Sequence, residues 1–281
     1  MNNDISIAII GSINLDIVAT VKDFPQPGET VTDAAVRRFP GGKGANQALA
    51  AHRLGATVYM VGRVGDDPVA EEALFTLRDE GVDLSYTRPL TGFSTGLAMI
   101  VVNESGENQI VVAPGANAAF AVEQLEVPPT SASIAQLEVP FETILKAARG
   151  HQNFFCLNAA PAKPVPSELL QHIDLLVVNE IEARMLGVEL DHFNGLLATT
   201  FGAEGAVLSR NGEQIAKAAP PRVDVVDTTG AGDAFTAALT VALVGGMQPQ
   251  AALEHACLVG ALATTRMGAQ SSPTLQELKE L

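Results

Sequence analysis

The sequence predicts an α/β protein with three layers, a mainly parallel sheet covered by helices on both faces, and a small second sheet projecting from it. Short apolar runs alternate with helix-patterned segments along most of the chain, which is the pattern of a sheet buried on both sides. An early strand-rich texture interrupts that alternation and supplies the second sheet. The chain has 281 residues, 47% of them hydrophobic. That is enough apolar material for one large core, so the sequence reads as a single domain over residues 1–281 with an appendage.

Residues 5–10 are a continuous apolar run and read as a buried strand. Residues 45–54 have helical composition and stop at Gly55, a good C-terminal cap. Residues 57–61 form the next strand. In Asp66-Asp67-Pro68 an Asp cap precedes a Pro in the first helical turn, and Gly81 closes that helix. Residues 154–157, 173–178 and 196–200 are further buried strands, and residues 234–244 and 251–266 are Ala/Leu-rich helices. The strand-rich texture occupies residues 18–39, around the turn Phe24-Pro25-Gln26-Pro27-Gly28. It resumes in residues 96–102 and 108–112, which flank the hairpin turn at residues 103–107. These segments, about 12–40 and 94–113, form either a lid sheet or extra edge strands of the main sheet; pattern alone allows both. Gln-Leu-Glu-Val-Pro occurs at 124–128 and again at 136–140, but two copies do not make a solenoid.

The formal charge of −15 argues against a nucleic-acid binder, because no stripe of Lys and Arg tracks a phosphate backbone. It leaves room for a nucleotide held by a few placed groups. Cys156 and Cys257 fall in a buried strand and a buried helix, which is neither a disulfide framework nor a metal cluster and fits a reducing compartment. Residues 1–6 are polar and lack the pattern of a signal peptide. No apolar stretch reaches the ~18 residues of a membrane span. A cytoplasmic protein with no membrane partner is expected.

Three motifs carry chemistry. Asp227-Thr228-Thr229-Gly230-Ala231-Gly232-Asp233 opens a helix, so several backbone N–H groups converge on one point where the helix dipole adds positive potential. That is an anion hole fit for a phosphate, and Asp233 at its rim is a sensible proton acceptor for an attacking hydroxyl. The spacing suggests phosphoryl transfer; an Asp-capped helix after a Gly turn is the plainer alternative. Residues 39–47, Phe-Pro-Gly-Gly-Lys-Gly-Ala-Asn-Gln, open another helix. They are not a Walker A loop, because Lys43 is followed by Gly44 and not Ser or Thr. Nor are they a dinucleotide fingerprint, because Gln47 stands where Gly or Ala is needed. Lys43 and Asn46 remain able to hydrogen-bond a polyol. In the third motif, Gly11-Ser12-Ile13-Asn14-Leu15-Asp16, Asn14 and Asp16 alternate onto one face just past the end of the first strand. There they suit adjacent hydroxyls of a sugar, although a turn with two Asx residues would look the same.

Together these elements resemble the ribokinase branch of the PfkB carbohydrate-kinase family, over residues 5–274. The amino-terminal signature of that family resembles residues 41–47. Its carboxy-terminal signature, Asp-Thr-x-Gly-Ala-Gly-Asp-x-Phe, is met by residues 227–235. Residues 25–32, 94–117, 136–140 and 157–162 are similar to ribokinase stretches as well. The resemblance implies a ribokinase-like fold and ATP-dependent phosphorylation of D-ribose at O5. Asp233 is then the general base and the backbone of Gly230, Ala231 and Gly232 the anion hole. It implies a sugar site of Asn14, Asp16, Gly42, Lys43, Asn46 and Glu138, closed by Ala98 and Ile110. On the nucleotide side it implies Asn179 and Glu182 near Mg2+ and the phosphates, the loop Thr200, Gly202, Ala203, Glu204 and Gly205, and Cys257 against the adenine. A K+ activator would be held by Asp227, Thr229, Ala263, Arg266, Gly268 and Ser272, with Arg266 contributing its backbone carbonyl and its guanidinium turned away.

The resemblance further implies a homodimer through the lid, where Ala98, Ile100, Ile110 and Val112 form an apolar face. A kinase for a nucleoside, deoxyribose or fructose is the nearest alternative, and a non-catalytic sugar-binding regulator a more distant one. A dehydrogenase lacks its fingerprint. Two segments depart from the family pattern. Residues 118–133 are short and contain Pro128-Pro129 where relatives have a helix. The connection from Asn179 to Thr200 is also short, and residues 189–195 leave little room for a helix between parallel strands.

Overall fold

The computed structural model describes residues 5–187, 190 and 193–280. The first residues of the chain, read above as lacking a signal, and part of the 189–195 connection lie outside the described residues. The first half of the chain contains β1 (Ser6–Ile10), β2 (Asn14–Thr20), β3 (Ala35–Gly41), α1 (Lys43–Arg53), β4 (Thr57–Gly65), α2 (Pro68–Glu80), β5 (Thr87–Leu90), β6 (Gly96–Val102) and β7 (Asn108–Ala113). It continues with β8 (Ala132–Gln136), α3 (Phe141–Gly150), β9 (Phe154–Asn158), α4 (Ser167–Leu170), β10 (Leu175–Asn179) and α5 (Glu180–Leu186). The last part holds β11 (Leu196–Thr200), β12 (Ala206–Arg210), β13 (Glu213–Ala218), α6 (Ala231–Val244), α7 (Pro249–Ala263) and α8 (Leu275–Lys279).

The main sheet is nine-stranded, in the order β13-β12-β11-β10-β9-β8-β1-β4-β5. All pairings from β5 to β11 are parallel, and β12 and β13 add an antiparallel edge. Alternate side chains of β1 feed two cores. Ile7 and Ile9 join a cluster with α1, α2, α6 and α7, while Ala8 and Ile10 join one with Phe120, α3 and α4. Strands apolar on both faces have to be covered twice, which is why the helices form two layers. The chain leaves β1 toward β4 on one side and returns to β8 on the other. The order therefore reverses between β1 and β8, the place where open α/β sheets leave a crevice at the carboxyl ends of their strands.

β2, β3, β6 and β7 form a separate four-stranded sheet in the order β3-β2-β6-β7. The strand-rich texture thus builds a lid and not an extension of the main sheet. Residues 118–133 contain no α-helix; turns of 3-10 helix at Gly115–Asn117 and Val122–Gln124 lead into β8. β10 and β11 are parallel neighbours, and the short α5 supplies the crossing between them. The last long helix ends at Ala263, before the sequence-predicted limit of 266, because the chain turns there and Gly268 adopts a positive φ of 88°. On the lid, Ala98 is buried at 6% exposure, whereas Ile110 and Val112 are about half exposed at 53% and 49%. Ala98 stands opposite Val112 and Ile100 opposite Ile110, so the four share one face of the lid, with Ala98 at its buried end.

Phe155 is fully buried in the second core. Phe155→Ala should lower unfolding free energy by about 3–5 kcal/mol in urea titrations. Phe75→Ala, at an exposed position of α2, should change it by less than about 0.5 kcal/mol.

Candidate active site

The crevice gathers the three sequence motifs. β1 runs into Gly11-Ser12, β8 leads to Glu138, β9 ends at Asn158 and β10 at Asn179. Ser12 Oγ donates to Glu138 Oε2 at 2.5 Å, which closes the β1–β8 gap. The same carboxylate oxygen accepts the backbone N–H of Lys43 at 3.3 Å. This holds the start of α1, whose cap is Gly42, against the strand ends.

Asp233 lies in the first turn of α6 and is 6% exposed. Asn46 Nδ2 donates to its Oδ2 at 2.9 Å and Gln47 Nε2 to its Oδ1 at 2.9 Å. Burial pushes the carboxyl pKa upward. Lys43, Asn46 and Gln47 pull it back in part, while Glu138 pushes it further up. For Lys43, burial opposes the charged form, but Asp233, Glu138 and Glu182 together outweigh it and raise its pKa. Lys43 and Asp233 thus stabilise each other's charges at the mouth of the helix.

Asn14 and Asp16 share a face of β2, as strand alternation requires. Asn14 Oδ1 accepts from Asn117 Nδ2 at 2.8 Å, and Asn117 also exchanges hydrogen bonds with the backbone of Ile13. Asp16 is 8% exposed, and among the described residues none donates a hydrogen bond to it. Burial, then the charges of Glu138 and Asp233, raise its pKa to about 7. Asn46 Oδ1 is buried without a partner. The site therefore presents unsatisfied acceptors that the hydroxyls of a polyol would satisfy.

A cleft of about 230 Å³ runs from Lys43 and Asp233 past Asn158 to Asn179, Glu182 and Thr200, with Thr228, Gly230 and Gly232 on its other side. Asn179 and Glu182 form a capping box on α5, in which Asn179 Oδ1 accepts from the N–H of Ile181 and Glu182. Gly202, Ala203 and Glu204 form a 3-10 turn before Gly205, beyond β11. Cys257 does not line this cleft. Its face of α7 packs on β13, where the thiol donates to Ala218 O at 3.8 Å, and burial pushes its pKa up to about 11.

No side chain caps α6. Gly230 there has φ 81°, and an added Cβ would stand 2.2 Å from Ala269 O. The turn before the helix is thus seated directly on the 268–272 loop. Asp227 ties the two together, accepting from Thr229 N at 2.9 Å, Thr229 Oγ1 at 2.7 Å and Gly268 N at 2.9 Å. Ala263 O accepts from Ser271 Oγ, and Ser272 Oγ is buried without a partner. The Arg266 guanidinium points to Glu277 of α8. Among the described residues, no group of three or more His, Cys, Asp or Glu could hold a metal ion by itself. Nor is any helix among the described residues long and apolar enough to cross a membrane.

Several residues at this site were not singled out from sequence. Ser12, Asn117, Asn158 and Thr228 carry no spacing signal. Gln47 sat in plain view, one residue after Asn46. Arg53 is another: its Nη1 donates to Gln270 O at 2.9 Å and Ser272 O at 2.8 Å while Nε and Nη2 clasp Glu80. It fastens α1 to the loop beneath the anion hole. A second cleft of about 270 Å³, lined by Arg63, Tyr86 and Arg88 among others, contains no residue of the three motifs.

Comparison with known proteins agrees with this geometry. The family model described as pfkB family carbohydrate kinase matches residues 4–275. A ribokinase of Bacillus subtilis is 40% identical, the match covering 98% of this chain and 99% of that one. A deoxyribokinase of Salmonella typhi is 32% identical over 98% and 97%. Among solved structures, ribokinase from Thermotoga maritima superposes with TM-score 0.89 at 31% identity, covering 98% of both chains. The Arabidopsis thaliana ribokinase complexed with ribose and ATP gives TM-score 0.88 at 30% identity, over 98% and 97%. This chain belongs to the pfkB family of carbohydrate kinases, on its ribokinase branch, and is a phosphotransferase.

Proposed function

We propose that the protein transfers the γ-phosphoryl group of ATP to O5 of D-ribose. The observation that carries this is the placement of Asp233, buried and clasped at the first turn of an uncapped helix, beside sugar-facing acceptors left unsatisfied. The O5–H proton passes to Asp233 while O5 bonds to the γ-phosphorus and the bond from phosphorus to the β,γ-bridging oxygen breaks, releasing ADP. The N–H groups of Gly230, Ala231 and Gly232 receive the charge that develops on the transferring group. Lys43 stands beside it. Asn14, Asp16, Gly42, Asn46 and Glu138 hold the ribose, with Ala98 and Ile110 of the lid closing over it.

Thr200 and the turn from Gly202 to Gly205 serve the nucleotide. The position of Cys257 supports packing near that side more than hydrogen bonding to a base. Asn179 and Glu182 would hold Mg2+ largely through water, and the ion would neutralise charge on the phosphates. Asp227, Thr229 and Ser272, with backbone carbonyls of Ala263, Arg266 and Gly268, would hold K+. The orphaned Ser272 hydroxyl and the outward-turned Arg266 guanidinium fit such a carbonyl-rich cage, whose chemistry is to order the turn at Gly230. Deoxyribose is the second reading, on the strength of the deoxyribokinase relative; Asp16, placed for vicinal hydroxyls, favours ribose. The half-exposed Ile110 and Val112 support a homodimer formed lid to lid, and the reducing interior fit of both cysteines supports a cytoplasmic setting.

A coupled ADP-release assay across ribose, deoxyribose, fructose and nucleosides should show ribose as the best substrate, and Asp233→Asn should abolish turnover by several orders of magnitude while ribose still binds. Better turnover of deoxyribose or adenosine would overturn the substrate assignment. Because the Asp16 pKa is raised to about 7, its carboxylate becomes protonated as pH falls below that value and loses acceptor capacity. Ribose affinity measured by calorimetry should therefore weaken from pH 8 to pH 6, and Asp16→Asn should flatten that dependence. Light scattering at micromolar concentration should return twice the chain mass, and Ile110→Glu should shift it to the monomer.

A further inference from the structure

We infer that Gln47 is a positioning residue for the catalytic carboxylate: it clamps Oδ1 of Asp233 and leaves Oδ2 as the oxygen that receives the sugar hydroxyl proton. The inference rests on the kinase reading of Asp233 given above.

Gln47 is fully buried on α1 and does not line the cleft. Both N–H groups of its amide are used within the protein, and its carbonyl is turned to Gln136. Nε2 donates to Asp233 Oδ1 at 2.9 Å and to Asn158 Oδ1 at 3.0 Å, and Oε1 accepts from Gln136 Nε2 at 2.6 Å. Gln136 and Asn158 are direct partners across β8 and β9, so their side chains rise on the same face of the sheet. α1 lays Gln47 between them.

The direction of every bond in this network is forced from its ends. The Asp233 carboxylate only accepts when ionised, so Gln47 must present its NH2 to it. Asn158 Nδ2 faces the Val177 carbonyl at 3.3 Å, another pure acceptor, so its Oδ1 must face Gln47. Gln47 then has only its carbonyl left, and Gln136 must donate to it. A flip would set like groups against each other at three contacts for Gln47, at two for Asn158 and at one for Gln136, whose Oε1 is buried without a partner. Gly11 makes room for the last member, because a Cβ there would stand 2.0 Å from Gln136 Oε1.

Asn46 holds the other carboxylate oxygen and differs in kind. Its Oδ1 is still unpartnered, so beyond holding Asp233 it keeps an acceptor for the sugar site. The carboxylate is therefore held on one side by a buried amide whose donors are both committed within the protein, and faces the sugar site on the other. In the reaction the O5–H bond breaks and the proton joins Asp233 Oδ2, while Gln47 keeps Oδ1 and so the plane of the carboxylate in place. The hydrogen bond also favours the ionised base. Removing it raises the Asp233 pKa, and activity that depends on the ionised form is then lost at a higher pH on acidification.

Gln47→Leu in the full-length enzyme should lower kcat about 10- to 100-fold with the ribose KM held within about twofold, and should move the acid limb of the kcat–pH profile to higher pH. Gln136→Leu, which reaches Asp233 only through Gln47, should move the limb the same way by less. Folded variants with the wild-type limb would overturn the inference. Should Gln47→Leu not fold, Gln136→Leu decides by the same limb. A third readout needs no turnover and neither leucine variant. In the wild type, the Gln47 side-chain amide resonance should titrate with the carboxyl 13C resonance of Asp233, which is identified by its loss in Asp233→Asn. An amide that stays flat through that titration would overturn the clamp. Absence of sugar phosphorylation with that co-titration intact would instead count against the kinase reading alone.

Discussion

The structure is organised around the cost of burying one carboxylate. Asp233 is placed where little water reaches it, and an isolated buried charge of that kind is expensive. The chain offsets the cost with Lys43, Asn46, Gln47 and the first turn of α6. Each compensating group has to be held in turn. Lys43, Asn46 and Gln47 all come from the start of α1, so one helix had to be brought against the mouth of another. That juxtaposition requires the Gly-rich approach before Lys43, the Ser12–Glu138 bond at the strand ends, and the packing of α1 on α6 across the first core. A raised pKa remains, which is the residue of a cost only partly offset. It is also what a proton acceptor needs.

The second constraint is the Asp227 bracket. Its two oxygens join the turn that opens α6 to the loop after α7. Arg53 reaches the same loop from α1 and binds Glu80 of α2 with the rest of its guanidinium. The anion hole is thus supported from behind by side chains that never face the cleft. Because Gly230 touches Ala269 directly, small changes in that loop are passed to the turn without an intermediary.

Much of this was legible in the sequence, and the reasons differ by element. The parallel strands announced themselves as apolar runs because they are buried on both faces. α2 was bounded by Asp67, Pro68 and Gly81, and the structure shows the Asp67 cap and the left-handed Gly81. β8 was not foreseen, since Ala132-Ser133-Ile134-Ala135-Gln136 lacks the β-branched density that marks a strand. The β12–β13 hairpin was missed although its Asn211-Gly212 turn, with both residues at positive φ, is a hairpin signal. The motifs placed Asp233, Asn46 and Asp16 near one another only through family resemblance. The amides behind them were invisible because Gln136, Asn158 and Gln47 lie far apart in the chain, and only the β8–β9 register and the lie of α1 bring them together.

The lid springs from the sugar site itself. Only Gly11, Ser12 and Ile13 separate β1 from β2, so Asn14 and Asp16 occupy the root of the projecting sheet. At a rise of about 3.3 Å per residue, Thr20 stands roughly 20 Å further out. Any rotation about that root acts as a lever with its short arm at Asn14. A swing that carries the tip of β2 through several ångströms displaces Asn14, next to the fulcrum, by a fraction of that distance, and the Asn117 tether to Asn14 and Ile13 pins the fulcrum further. Any displacement of the lid is therefore largest at its apolar margin and smallest at the hydroxyl-binding pair at its base.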